Sequence, residues 1–159
     1  MKKIQEIRAE FEESREESWP SLCEKYKDDG RKGVAALVTR CQRKMEALEA
    51  ERQRMYGMFA YEREYEHLGY ICGIDEAGRG PLAGPVVAGA VILQKNCGIL
   101  YLNDSKKLSA ARREELYRQI VEEAVAVGVG YASPQRIDEI NILQATYEAM
   151  REAVQKLKI

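Results

Sequence analysis

Histidine and paired cysteines, which commonly bind transition metals, are scarce in this chain of 159 residues. The one histidine, His67, lies near the end of a predicted helix, where it is expected to cap carbonyl groups rather than bind metal. The cysteines show no C-x-x-C spacing, which argues against a zinc site or a disulfide framework and favours reduced thiols in a cytosol. They are Cys23, Cys41, Cys72 and Cys97.

Long apolar runs and a strong net charge are also absent. No run approaches the ~18 residues of a membrane span, and the basic N-terminus lacks the apolar segment of a signal peptide. We therefore predict a cytoplasmic protein with no membrane partner. The 25 basic and 26 acidic residues leave a formal net charge of −1, so contact with an anionic partner must come from local patches. The G-x-x-x-x-G-K-[ST] loop that cradles phosphates is missing as well.

Residues 1–68 are predicted to form a small all-α domain. A charged helical segment over residues 4–18 is expected to break around Pro20, because proline biases its predecessor away from the α region. After a turn at residues 28–30, one long helix is expected from residue 32 to about residue 68. Apolar residues recur at helical spacing in both helices, among them Ile4, Ile7, Phe11, Val34, Leu37, Val38, Cys41 and Met45.

Two interpretations of this helical region stay open. In the first, the helices are solvated and bury only a narrow apolar stripe. In the second, a basic cluster tracks the phosphates of a nucleic acid as an accessory clamp, although interspersed glutamates weaken this interpretation. The residues of that cluster are Arg31, Lys32, Arg40, Arg43 and Lys44.

The most informative stretch covers residues 70–93. An apolar run ends in two adjacent carboxylates, Asp75 and Glu76, and a glycine turn around Arg79 leads to a second apolar run. The pattern predicts a strand, a loop and a second strand, over residues 70–76 and 86–93, paired antiparallel. An apolar strand ending in uncompensated carboxylates is locally unfavourable unless the charges are paired or bind metal.

Two interpretations of the acidic pair follow. Mg²⁺ and Mn²⁺ take hard oxygen ligands, and Mg²⁺ is usually held by one or two carboxylates with phosphate oxygens and water. Adjacent strand residues point to opposite faces, so Asp75 and Glu76 share an ion only if the chain twists where the strand ends. The flanking glycines, Gly78 and Gly80, permit that twist, and the planar fork of Arg79 suits a phosphate. The alternative is a tight turn with a solvated acidic pair.

The rest of the chain is predicted to alternate between helices and one more strand. A loop is expected over residues 94–98. Ser109 is expected to cap a helix that runs to about residue 127, followed by a strand over residues 127–132 and a short helix over residues 134–139 that Ser133 caps. A last helix begins at residue 140 or 141. One face of it carries large apolar residues, namely Leu143, Tyr147, Met150, Val154 and Leu157.

The loop over residues 103–109 places Ser105 and Lys106 just before a helix N-terminus, which attracts anions. From these residues alone, an ordinary solvated loop before a capped helix is the favoured interpretation, and the alternative is a loop that holds a phosphate of a nucleic-acid backbone.

The motifs DEAGRGPLAGPVVAGAVIL, NDSKKLS, VGVGY and IDEINILQAT, in this order, resemble ribonuclease HII. The segment before them is similar to the N-terminal extension of the Bacillus-type members. The resemblance implies an RNase H-like mixed sheet with helices on both faces. It also implies an endonuclease that hydrolyses the RNA strand of RNA–DNA hybrids and cuts 5′ to ribonucleotides embedded in duplex DNA, with two Mn²⁺ or Mg²⁺ ions.

Individual roles follow from the same resemblance. Asp75 and Glu76 match catalytic metal ligands, and Gly78, Arg79 and Gly80 match the loop that senses the ribonucleotide. Ser105 and Lys106 match residues beside the hybrid.

The family has further aspartates and a tyrosine C-terminal to the matched segments. The sequence is therefore expected to represent a helical extension, residues 1–68, and the first half of a catalytic domain, residues 69–159. Asp104, Asp138 and Glu139 do not lie in matching motifs and are not proposed as ligands. Three functions stay open: a ribonucleotide-specific endonuclease, a catalytically inactive nucleic-acid-binding fragment, and a helical interaction protein.

Overall fold

Residues 1–58 fold as three α-helices in the computed structural model, which describes residues 1–95 and 97–159. These helices are α1 (Ile4–Glu13), α2 (Trp19–Tyr26) and α3 (Lys32–Met58). Both α1 and α2 pack against α3. The resulting core consists of large or medium side chains. Helical spacing predicted Ile7, Val34, Val38 and Cys41, and the structure adds Cys23 and Tyr26.

Two predicted helix boundaries in this region are wrong. The chain leaves α1 at Ser14, and Pro20 lies in the first turn of α2 instead of breaking a helix. Proline is tolerated there because first-turn N–H groups have no partner within the helix. The long helix expected to reach residue 68 ends at Met58, next to the poor helix former Gly57. It is followed by α4 (Ala60–Tyr65) and a single 3₁₀ turn at Glu66–Leu68.

Residues 59–159 form the second compact unit, which contains a three-stranded antiparallel sheet. Its strands are β1 (Gly73–Ala77), β2 (Val86–Ile92) and β3 (Ala126–Ala132), in the order β1-β2-β3. The helices are α5 (Ala110–Glu123), α6 (Pro134–Ile140) and α7 (Ile142–Gln155). The predicted α/β fold after a helical region is confirmed. Within the described residues, however, the sheet is antiparallel throughout rather than mixed.

Two further predictions are not tested in full: one loop contains a position that the structure does not describe, and one domain boundary stays open. The loop expected over residues 94–98 includes position 96, which lies outside the described residues. Along the chain, the first compact unit ends at Met58 and the second begins at Phe59. The expected domain boundary after residue 68 stays a prediction.

The packing of α7 on the sheet uses only part of the face that carries its large apolar residues. Met150 and Leu157 pack against the core, whereas Leu143, Tyr147 and Val154 are each more than 40% exposed and a neighbouring face of small residues is buried. Glycines on β3 allow this close approach: a Cβ at Gly130 would lie 1.8 Å from the Ala149 carbonyl oxygen. The backbones therefore nearly touch, and large side chains cannot enter. The buried face of α7 consists of Ala145, Thr146, Ala149 and Ala153.

Side chains of α7 also bind backbone groups of β3, which pairs with β2 on one side only. Glu152 accepts a hydrogen bond from the Tyr131 N–H at 2.8 Å, and Lys156 donates one to the Val129 carbonyl at 2.9 Å. Because free strand edges template further strand pairing, these bonds protect the edge of β3. The sheet face away from α7 leaves Val129 and Tyr131 about half exposed.

Candidate metal and nucleic-acid site

The acidic pair lies near the C-terminal end of β1, as the sequence predicted. In the antiparallel register, Asp75 is opposite Gly89 and Glu76 is opposite Ala88. Ala88 is buried on the face covered by α7, so Glu76 belongs to that face and Asp75 to the other. The strand therefore does not by itself bring the two carboxylates together. β1 is an edge strand of the described sheet, so no other strand of that sheet pairs with its outer side.

A local hydrogen bond orients the carboxylate of Asp75, and an ion pair lies at that of Glu76. An Asp75 Oδ1 atom accepts the backbone N–H of Glu76 at 2.9 Å, and Asp75 is exposed. Glu76 Oε1 lies 3.5 Å from Nη1 of Arg79, which is half exposed. An arginine has five N–H donors, so this ion pair leaves most of the Arg79 fork available to a phosphate. The i,i+3 spacing of Glu76 and Arg79 was visible in the sequence, but their pairing was not anticipated.

Gly78 closes the loop that follows the acidic pair. Its φ is +91°, and an added Cβ would lie 2.1 Å from the Pro85 carbonyl oxygen. Any other residue would therefore open the turn. An added Cβ at Gly80 would meet nothing within 4 Å, so no close packing demands glycine there. Leu82, at the loop tip, is fully exposed.

By residue type the two carboxylates suit one hard divalent cation rather than two, although they belong to opposite faces of β1. Asp75 and Glu76 supply carboxylate oxygens, and Mg²⁺ commonly takes one or two of these with water and phosphate oxygens. Among the described residues, no group of three or more histidine, cysteine, aspartate or glutamate side chains is placed to hold a metal. Asp104 and Glu139, which the sequence did not favour as ligands, bind the Lys106 N–H and the Arg136 guanidinium instead.

The loop with Ser105 and Lys106 forms a single 3₁₀ turn at Ser105–Lys107, directly before α5. Both side chains are exposed. Ser109 caps α5 by accepting the Arg112 N–H at 3.2 Å, which confirms the predicted helix start. Arg113 was missed in the sequence, because its hydrogen-bond partners are backbone carbonyls of the loop and leave no pattern of side chains.

The basic cluster predicted in the helical unit is only partly available. Arg31 binds Asp29 at 2.6 Å, and this guanidinium holds the pKa of the Asp29 carboxyl at about 2. Arg40, Arg43 and Lys44 line one shallow groove of α3. A nucleic-acid clamp at that groove stays a prediction.

Comparisons with known proteins point to one family. Residues 3–66 match the family model described as "Ribonuclease HII N-terminal domain", and residues 72–159 match "Ribonuclease HII". A ribonuclease HII of Lachnoclostridium phytofermentans is 54% identical over 157 residues, covering 99% of this chain and 62% of that protein. One from Bacillus licheniformis is 50% identical over 158 residues, covering 98% and 62%.

A solved structure is also similar, the "Crystal structure of the ribonuclease H2 from Pyrococcus horikoshii OT3". It has a TM-score of 0.45 and 30% identity, covering 57% of this chain and 46% of that one. This chain spans about three fifths of the length of the curated relatives named above. No helix among the described residues has both the length and the apolar character needed to cross a membrane.

Proposed function

Because the chain belongs to the ribonuclease HII family, we propose that it acts in the endonucleolytic hydrolysis of RNA–DNA hybrids, in the cytoplasm. We further propose cutting 5′ to ribonucleotides embedded in duplex DNA. The observation that supports this most directly is the continuity of the acidic pair with the loop closed by Gly78. The carboxylates of Asp75 and Glu76, which are hard-oxygen donors, therefore lie within a few residues of Arg79, whose guanidinium suits a phosphate.

Asp75 and Glu76 would hold a divalent cation, Mg²⁺ or Mn²⁺. When bound, such an ion supplies Lewis-acid activation of a phosphodiester and its attacking water. A two-ion mechanism places the ions ~3.5–4 Å apart and needs more ligands than these two carboxylates. We therefore propose that further carboxylates complete the site for cleavage.

The loops would position the nucleic acid. Backbone groups at Gly78 and Gly80 are proposed to approach the 2′-hydroxyl, which distinguishes RNA from DNA locally. Arg79 would contact a phosphate through the donors that Glu76 does not use. Ser105 and Lys106 would bind a neighbouring phosphate, since both side chains are exposed before the N-terminus of α5.

A second candidate is a nucleic-acid-binding chain without catalysis. It is favoured by the donor count at the metal site, because the described residues offer no group of three ligands. Such a chain would bind a ribonucleotide-containing duplex but leave it intact.

One experiment separates the two candidates. The purified chain is mixed with a labelled duplex carrying one ribonucleotide, or with its all-DNA counterpart, in Mn²⁺, Mg²⁺ or EDTA. We expect tighter binding to the ribonucleotide duplex, and cleavage only after adding the part of the Lachnoclostridium relative that this chain does not match. D75N and E76Q should abolish that cleavage. D138N, which neutralises an exposed carboxylate on α6, is the matched control and should not.

Equal affinity for both duplexes would contradict ribonucleotide recognition. Preferential binding with no cleavage in any mixture would favour the inactive chain.

The role of Arg79 is tested separately. R79A should weaken binding to the ribonucleotide duplex by about 1–3 kcal/mol, the range for hydrogen bonds to charged groups. R118A removes the same charge from an exposed position on α5 and should have little effect. If the two variants bind equally well, the loop is only a structural turn.

A further inference from the structure

Arg113 connects α5 to the loop that precedes it. Its Nη1 atom donates hydrogen bonds to the carbonyl oxygens of Leu108 at 2.8 Å and Ser105 at 3.2 Å. These carbonyls lie on either side of Lys106 and Lys107, whose side chains are exposed. One guanidinium therefore holds both ends of the segment that presents the proposed phosphate-binding groups.

The loop depends on hydrogen bonds because it has little packing. The 3₁₀ turn at Ser105–Lys107 contains no buried residue. Inside the loop, the Lys106 N–H binds the Asp104 carboxylate at 2.9 Å, and the Leu108 N–H reaches the Ser105 carbonyl at 3.3 Å. Short 3₁₀ turns have poor hydrogen-bond geometry. Charge-assisted bonds from Arg113 are therefore a large share of what fixes this loop.

Arg113 is itself well anchored. Its backbone N–H binds the Ser109 carbonyl at 2.9 Å, in the first turn of a helix that Ser109 also caps. Neighbouring cations on α5 have different partners: Arg112 binds Glu115 at 2.6 Å, and Arg118 binds Glu114 at 3.2 Å. The bonds of Arg113 to loop carbonyls set it apart from these two.

We propose that Arg113 is a positioning residue that holds Ser105 and Lys106 in the conformation that receives a nucleic-acid phosphate. It acts through the loop backbone and does not itself touch the phosphate. The inference rests on the proposed function, in which this loop binds a nucleic-acid backbone.

The first test compares R113A with R118A in the full chain. Binding to a ribonucleotide-containing duplex is measured by fluorescence anisotropy at several salt concentrations. R113A should bind roughly ten-fold more weakly, the effect of losing one charge-assisted hydrogen bond, and with a shallower salt dependence, because one phosphate contact is lost. R118A removes an equal charge and should bind like the original chain. Equal behaviour of the two variants would overturn the inference.

A double-mutant cycle with K106A separates positioning from direct contact. If Arg113 acts through the loop, R113A should add little to the loss caused by K106A. Fully additive losses would overturn the proposal, because they would mean that Arg113 binds a phosphate independently. R113K keeps the charge and one donor group, so it should recover part of the affinity.

A measurement without nucleic acid tests the loop itself. Lys-C cleaves after Lys106 and Lys107, and we expect faster cleavage there in R113A than in R118A, with R113K between them. Equal cleavage rates would contradict the proposal. If the original chain binds no duplex, the proposed function fails, while the cleavage rates still decide whether Arg113 holds the loop. R113Q replaces R113A if circular dichroism shows that the alanine variant is unfolded.

Discussion

The helical unit, residues 1–58, and the sheet unit, residues 59–159, bury their cores in opposite ways. The helical unit packs side chains such as Ile7, Tyr26 and Val34 between its helices. In the sheet unit, alanines of α7 lie against glycines of β3, and backbone nearly touches backbone. The first core is formed by the apolar stripes of its helices. The second depends on glycines in β3 and alanines in α7, which leave room for the helix backbone beside the strand.

This difference affects what substitution does to each unit. A core of large side chains loses stability when atoms are removed, because cavities form. A core built on close backbone approach loses stability when atoms are added, because the backbone cannot yield. Trp19, the one tryptophan in the chain, packs against the helical core and gives a fluorescence signal specific to that unit.

The largest expected effect comes from adding one methyl group to β3. In G130A, the new Cβ would lie 1.8 Å from the Ala149 carbonyl oxygen and should destabilise the sheet unit by about 3 kcal/mol or more. Hydrogen exchange of β3 peptides measures the loss. G89A is the control, because an added Cβ there would meet nothing within 4 Å. Similar protection in both variants would show that α7 lies farther from β3 than described.

Removing atoms from the helical core should have the next largest effect. Val34 is completely buried, and V34A should cost about 2 kcal/mol through lost transfer energy and a cavity. Urea unfolding followed by Trp19 fluorescence measures this cost. V129A, on the half-exposed sheet face, should leave that transition unchanged. A V34A transition at the original urea concentration would mean that the helical core is loosely packed.

A smaller effect is expected from a substitution on the exposed face of α7, which tests the orientation of this helix. Leu143 is 41% exposed, so L143A should cost less than about 1 kcal/mol. A149V places extra methyl groups on the buried alanine face and should cost about 1–3 kcal/mol. Thermal unfolding by circular dichroism ranks the two. The opposite ranking would mean that α7 buries the face that carries its large apolar residues.

The smallest expected effect concerns Glu10 in the helical unit, whose ion pairs are solvent-exposed. Hydrogen bonds from Lys2, Lys25 and the Tyr26 hydroxyl lower its pKa from 4.5 to about 2. A lowered folded-state pKa contributes stability above the unfolded value, and this contribution is lost as pH falls from about 4.5 to about 2. E10Q should therefore reduce the loss of stability over that range, as measured by Trp19 fluorescence. An identical acid transition in E10Q would assign the loss to other groups, such as Asp29.

Much of the fold was predictable because local signals agreed with it. Apolar runs and glycine turns located all three described strands, and Ser109 and Ser133 cap their helices as expected. Helix ends were less predictable. Pro20 is compatible with a helix start as well as with a break, and only the packed structure selects between them.

The candidate site was predictable in its residue types but not in its geometry. The sequence alone determined that two carboxylates end a strand, that a glycine loop with Arg79 follows, and that Ser105 and Lys106 precede a helix. These are properties of neighbouring residues, and local propensity is sufficient to place them. Tertiary structure decided which sheet face each of Asp75 and Glu76 belongs to and that α7 buries its alanines. Register and helix rotation depend on contacts between distant segments, which hydrophobic periodicity within one segment does not contain.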